Sequence, residues 1–358
     1  MAGDRVSQPA GENCSVSVPT IRCRSECGRL VLVNDGRPGW SPNRLELCQF
    51  CFAYLRVGHL LKCYTMKTVK DNLDEISKKL QALLAELLLR HSVIYQWNRY
   101  DPDSGMVIIP IHGNFGYKPL NEQGRQVQAR LLEEYRHYFE VIRSLLREQA
   151  QDTLQTLTET DTVLVRTIEQ QETACETTQE AFDNAVQALG SQLGLLERLY
   201  DASNGRPSYI PDTNALLYNP KLETWSFDES PRFDLVLLPT VLSELDAHKI
   251  SHRNEAVREK SDKLIRQIKE YRRRGKLTEG VNLVADTIGI MAVATEPRAE
   301  SFLHWFDPTN NDDRILASVL EVMRQRPRSP VVLVSRDVNL QNKAEFARIP
   351  FVEPPEPA

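Results

Sequence analysis

From Met66 the stretch MKTVKDNLDEISKKLQALLAELLLR places Val69, Leu73, Ile76, Leu80, Leu83 and Leu87 at alternating spacings of four and three. That spacing is the seam of an amphipathic, coiled-coil-like helix that packs against other helices. Val127, Leu131, Tyr135, Tyr138, Ile142 and Leu145 repeat the pattern, and Leu157, Leu164, Ile168, Cys175, Phe182, Val186, Leu189, Leu193 and Leu196 carry it through a third, longer segment. Three helices are therefore expected over residues 66–200, as an elongated antiparallel hairpin or three-helix bundle, because such apolar stripes are costly to leave in water. Gly190 and Gly194 are expected to loosen the end of the third helix. The segment between the first two helices, WNRYDPDSGMVIIPIHGNFGYKPLN, is rich in turn formers and reads as a loop with at most a short strand at 106–111.

The period changes after DASNGRPS, residues 201–208, a cluster of small and turn-forming residues that marks a linker. Beyond it, over residues 209–353, short apolar runs alternate with helical stretches. The order is SYIPD, LVLLPT, helices at 241–250 and 255–274, VNLVAD, a helix at 312–324, VVLVSRD, and a last short helix before 349–352. Fully apolar strands separated by helices predict a parallel sheet covered on both faces, an α/β domain of ordinary size.

Charge and cysteine usage narrow the class. The net charge of −5 excludes a uniformly basic nucleic-acid binder, so any such contact must come from a local patch. Of the 7 cysteines, all but Cys175 precede residue 64, which fits a reducing, cytoplasmic compartment better than a disulfide framework. No apolar run approaches the length that spans a bilayer, and the first 20 residues lack a secretory pattern. Cys23, Cys27, Cys48 and Cys51 come near zinc-ribbon spacing, but one pair has the wrong internal gap. The preferred expectation is that residues 1–65 are poorly ordered sequence upstream of a natural start at Met66.

In parallel α/β sheets the site lies beyond the carboxyl ends of the strands, so acids that follow apolar runs are the candidates. Asp212 follows the first run and Asp337 follows VVLVSR, while Glu244 is expected in the first turn of a helix beginning near Thr240 and Asp312 at the start of a later one. Taken singly, Asp212 or Asp312 reads as an N-cap and Glu244 as a carboxylate favoured by the helix dipole. Taken together, clustered carboxylates repel one another unless a hard cation such as Mg²⁺ or Mn²⁺ neutralises them. Oxygen ligands without His or Cys argue against zinc and for a metal-activated water attacking a phosphodiester. A phosphatase using Asp212 as nucleophile would want a second Asp two residues on, where Asn214 stands instead.

The order IPDTNALL, LLPTVLSELD, NDDRILASVL and VVLVSRDVNLQNKA resembles the PIN domain family of metal-dependent ribonucleases over nearly all of residues 208–352. The resemblance implies catalytic, metal-holding acids at Asp212, Glu244, Asp312 and Asp337, with Asp313 adjacent to the third and able to substitute for it. It also implies polar residues that orient metal-bound water at Asn214, Ser335 and Asn339. The expected activity is endonucleolytic cleavage of single-stranded RNA. RNA is preferred over DNA through the resemblance alone, since no residue reads the 2′-hydroxyl.

Residues 249–276 carry eleven Lys or Arg against four acids, a local charge of +7. Such a helix beside the carboxylates would hold a phosphate backbone, with Lys269, Arg272, Arg273 and Arg274 as the leading candidates, although charge runs are commonly solvated faces. Trp97, Tyr100, Phe115 and Tyr117 read as loop packing rather than a base-stacking platform. The alternative to an enzyme is a non-catalytic metal- and RNA-binding scaffold working through its helical half. That half is expected to serve in homo-oligomerisation or in binding a protein partner.

Overall fold

The computed structural model describes residues 67–96, 115–200, 205–228 and 230–357. The expectations for Cys23, Cys27, Cys48 and Cys51, for Met66, for Trp97 and Tyr100, and for a strand at 106–111 lie outside the described residues. One compact unit runs from Tyr64 to Ala358.

Helix α1 (Val69–Ala85) opens on a reciprocal cap: Asp71 N donates to Thr68 Oγ1 at 3.2 Å and Thr68 N donates to Asp71 Oδ2 at 2.8 Å. The chain continues in a π-helical turn, Glu86–His91, and two short antiparallel strands follow, β1 (Ile94–Gln96) and β2 (Phe115–Tyr117). Helix α2 (Glu122–Leu146) buries Leu131, Tyr135, Tyr138, Ile142 and Leu145, as its spacing implies. The expected long third helix is instead two, α3 (Gln151–Ile168) and α4 (Thr178–Leu199). Gln170 turns the chain at φ 54°, Thr173 N bonds to Phe115 O at 3.0 Å, and Thr177 caps α4 by accepting from Glu180 N at 3.1 Å. The break falls in the polar stretch after Ile168, where apolar spacing carries no signal. Gly190 and Gly194 sit within α4, which runs on intact to Leu199.

The two halves share one hydrophobic core. Gly205 enters the α/β part so close to Arg328 that a Cβ would lie 1.8 Å from its carbonyl oxygen, an approach open only to glycine. The sheet that follows consists of β3 (Ser208–Pro211), β4 (Phe233–Leu237), β5 (Val281–Val284), β6 (Ile288–Ala292), β7 (Val331–Val334) and β8 (Phe351–Val352). Their order across the sheet is β5-β6-β4-β3-β7-β8. All neighbours are parallel except β5 and β6. VNLVAD is therefore an antiparallel edge strand rather than a buried parallel one, and 288–292 supplies the interior strand beside β4. Only three residues join the pair, with Asp286 at φ 59°, and a connection that short permits only antiparallel pairing.

Strands β3 and β7 are buried at every residue. Each large apolar side chain so placed contributes about 1.5–3 kcal/mol. Helices α5 (Thr213–Tyr218), α6 (Pro239–Ser251), α7 (Glu255–Arg274), α8 (Asn311–Gln325) and α9 (Val338–Phe346) complete the α/β part. At the seam with the helical half, the buried Arg324 donates to Glu321, to Ser301 Oγ at 2.8 Å and to Ser144 O at 3.1 Å. Among the described residues no helix is long and apolar enough to cross a membrane.

Candidate active site at the strand ends

From β3 the chain moves to β4 on one side, and later crosses to β7 on the other. That reversal leaves a crevice beyond the carboxyl ends of β3 and β7, where ligands of open α/β sheets bind. Asp212 stands at the end of β3 and is almost fully buried. It is the N-cap of α5, accepting from Ala215 N at 2.6 Å, and its other oxygen accepts from Ser335 Oγ. Ser335, also buried, accepts in turn from Asp337 N at 2.9 Å. Asp337 caps α9 through one oxygen, accepting from Asn339 N at 2.8 Å and Leu340 N at 3.3 Å. Glu244 reaches the same place from α6. That helix opens at Pro239, one residue earlier than expected, so Glu244 lies in its second turn, and it accepts a hydrogen bond from Thr213 Oγ1.

Asp212 and Asp337, two of the expected ligands, are thus helix caps as well. Burial pushes the Asp212 carboxyl up to about 6, and the negative charges of Asp337 and Glu244 push in the same direction against the bonds from Ser335 and Ala215. Two of the expected acids, Asp337 and Glu244, are therefore within electrostatic reach of a third, Asp212. The fourth is held differently. Asp312, in the first turn of α8, lies 3.6 Å from Lys343 Nζ, and the buried Asp313 lies 2.8 Å from the same ammonium. Asp313 also accepts from Asp307 N at 2.9 Å. Asn310, not Asp312, caps α8.

Burial works against the charge of Lys343, but Asp313 and Asp312 outweigh it and hold its pKa above the ordinary lysine value. Of the expected water-orienting residues, Ser335 is inside the cluster. Asn214 and Asn339 are exposed, and only the backbone of Asn339 makes a described bond there. Two participants were not singled out from sequence. Thr213 had a visible signal, its place next to Asp212. Lys343 had none, since it reaches the site from more than one turn along α9.

Residues 209–353 match the family model of the PIN domain. This α/β region is a PIN domain. PIN domains are generally nucleases, which assigns a nuclease-type hydrolase at family level. The match leaves the helical half uncovered, and no curated protein matches the chain.

The donor set of the PIN domain fits a hard divalent cation. Every candidate ligand is a carboxylate oxygen, and the second oxygens of Glu244 and Asp337 accept no hydrogen bond from any described residue. Among the described residues no three His, Cys, Asp or Glu stand close enough to form a ready-made cage. The acids are tied instead to helix caps and hydroxyls, which occupy both oxygens of Asp212 but one oxygen each of Glu244 and Asp337.

Proposed function

We propose that the protein is a metal-dependent endoribonuclease acting on single-stranded RNA. The observation that carries this reading is Asp212 at the switch point of a PIN domain, destabilised as a carboxylate chiefly by its burial and further by the charges of Asp337 and Glu244. Uncompensated negative charge at such a position is unfavourable for folding, and a bound Mg²⁺ or Mn²⁺ would offset it. Asp212, Glu244 and Asp337 would hold the cation, with Asp312 completing the set once Lys343 releases it. When bound, the cation supplies Lewis acidity that makes water a nucleophile near neutral pH and offsets phosphate charge. Ser335 and Thr213 fix the carboxylates by donating to Asp212 and Glu244, so the acids need little rearrangement during turnover. The exposed cations at the end of α7, Lys269, Arg272, Arg273 and Arg274, offer phosphate contacts that counter repulsion between RNA and these acids.

A second reading rests on Lys343. An ammonium already paired with Asp312 and Asp313 would supply positive charge beside the fourth expected ligand without a metal, which favours a non-catalytic RNA-binding scaffold working through its helical half. The two readings separate in one experiment. The full chain is incubated with labelled single-stranded RNA and DNA oligonucleotides in Mg²⁺, Mn²⁺ or EDTA, beside Asp212→Asn and Asp337→Asn. Metal-dependent RNA cleavage lost at least 100-fold in both variants is expected. RNA binding without cleavage in any metal, by folded protein, would instead favour the scaffold, and cleavage that survives both substitutions would overturn the assignment of the site.

A further inference from the structure

A second hollow, separate from the carboxylate crevice, lies at this end of the sheet. Between α6 and the last turns of α7 lies a groove of about 760 Å³, in the size range of sites for small organic ligands. Its floor is apolar, with Leu242 of α6, Ile268 of α7 and Val293 beyond the end of β6. Its rim is cationic, with Lys269, Arg272 and Arg274, and Asp246 is the one acid among the residues that line it.

The cations of α7 are not all alike. Several are tied down: Arg266 pairs with Asp262, which Lys249 of α6 also reaches, Arg258 donates to His252 O at 2.7 Å, and Arg273, although it lines the groove, pairs with Glu270 at 2.8 Å. At the groove, Lys269 and Arg272 are exposed and pair with no carboxylate of the described residues, while Arg274 lies over the Tyr271 ring at 5.2 Å. A helix C-terminus favours cations, so its dipole accounts for basic residues in the last turn. It does not account for an open apolar floor beneath them.

The position of the groove is fixed by hydrogen bonds. Ala292 N donates to Leu277 O and Val293 N to Leu237 O, both at 2.9 Å, which fastens the chain after α7 to the carboxyl ends of β6 and β4. These strands run parallel to β3, so groove and carboxylates share one edge of the sheet. β6 is two strands from β3, a separation of roughly 10 Å, or about one to two nucleotides of extended chain. Helix α6 borders both, giving Glu244 to the crevice and Leu242 to the groove.

We propose that this groove is a subsite for single-stranded nucleic acid, holding one unstacked base on the apolar floor and the adjoining phosphates on Lys269 and Arg272. This inference rests on the nuclease reading for its ligand class. Phosphate contacts give strength without sequence, whereas a base laid on an apolar surface requires a strand free of its complement. The groove therefore selects single strands over duplexes and sets the distance between the gripped nucleotide and the cleaved bond.

The test uses the full chain in EDTA, so that binding is read without cleavage, with a fluorescent single-stranded RNA of about a dozen nucleotides and anisotropy as readout. Lys269→Ala/Arg272→Ala is expected to weaken binding about tenfold and to lower the slope of log affinity against log salt by about 1.4, from two phosphate contacts at ~0.7 each. Val293→Phe, which fills the floor and leaves the charges in place, is expected to weaken single-strand binding while leaving the salt slope unchanged. Unaltered affinity in the double variant, whose substitutions are on exposed residues, would overturn the proposal. So would a poly-glutamate chain of equal length that competes as well as the RNA, since the groove would then be a site for acidic peptides. The outcome is separable from that of the nuclease reading: groove-dependent binding in a protein that never cleaves sinks only the enzyme, and cleavage of long RNA indifferent to the double variant sinks only the groove.

Discussion

Two clusters of buried charge lie at opposite ends of α8, and they are built on opposite terms. At its carboxyl end, Glu321 accepts from Ser301 Oγ at 2.6 Å and from Arg324, which reaches on to Ser144 in the helical half. Burial opposes the Glu321 carboxylate, but Ser301 and Arg324 outweigh it and hold its pKa below the ordinary value. At the other end of the domain, Asp212 meets hydroxyl and amide donors but no cation, and its pKa moves up. A charge matched inside the chain fastens one half of the fold to the other. A charge left unmatched is a cost that an external partner would relieve, and the proposed metal site rests on that difference.

Breaking the matched cluster should have the largest effect on folding. Arg324→Met leaves the buried Glu321 with Ser301 Oγ and with Arg147 at 4.0 Å, and is expected to cost about 3–5 kcal/mol, most of it recovered when Glu321→Gln is added. Urea denaturation of the three proteins measures this, and a single substitution worth under about 1 kcal/mol would remove the contrast.

The unmatched cluster should respond with the opposite sign. The folded pKa of Asp212, about 6, lies above the unfolded value of about 3.9, so its destabilising charge is absent at pH below about 4 and grows as pH rises through 6. In EDTA, Asp212→Asn is expected to change stability little at pH 4 and to raise it by about 3 kcal/mol at pH 7.5, from about two pK units at 1.36 kcal/mol each. Mg²⁺ should narrow that gap by stabilising the wild type alone. A variant less stable than wild type at pH 7.5 in EDTA would show that the carboxylates are not in conflict.

The smallest effect distinguishes two adjacent residues. Asp313→Ala removes a buried acceptor from Asp307 N and a partner from Lys343, and should cost about 1–3 kcal/mol. Asp312→Ala, half-exposed, should stay within about 0.5 kcal/mol yet reduce cleavage. Thermal melts and oligonucleotide cleavage on both variants read the two roles, and an activity loss confined to Asp313→Ala would exchange them.

The sequence determined most of the elements and where the acids would lie. Apolar spacing in α1 and α2, and the continuous runs of β3 and β7, are local properties, because a side chain's period follows from its own backbone geometry. The family order singled out Asp212, Glu244, Asp312 and Asp337; the structure puts Glu244 and Asp337 near Asp212 and pairs Asp312 with Lys343. What spacing left open was decided by contacts distant in the chain. The break between α3 and α4 is held by the bond from Thr173 to Phe115, and the hairpin of β5 and β6 by the sharp turn at Asp286. The pairing of Lys343 with Asp312 and Asp313 depends on α9 lying against α8, and the groove on strand ends tied to the loop after α7. Periodicity reports which face of an element is apolar. Which elements meet, and so whether a charge is matched or left for a partner, is set only when the chain closes on itself.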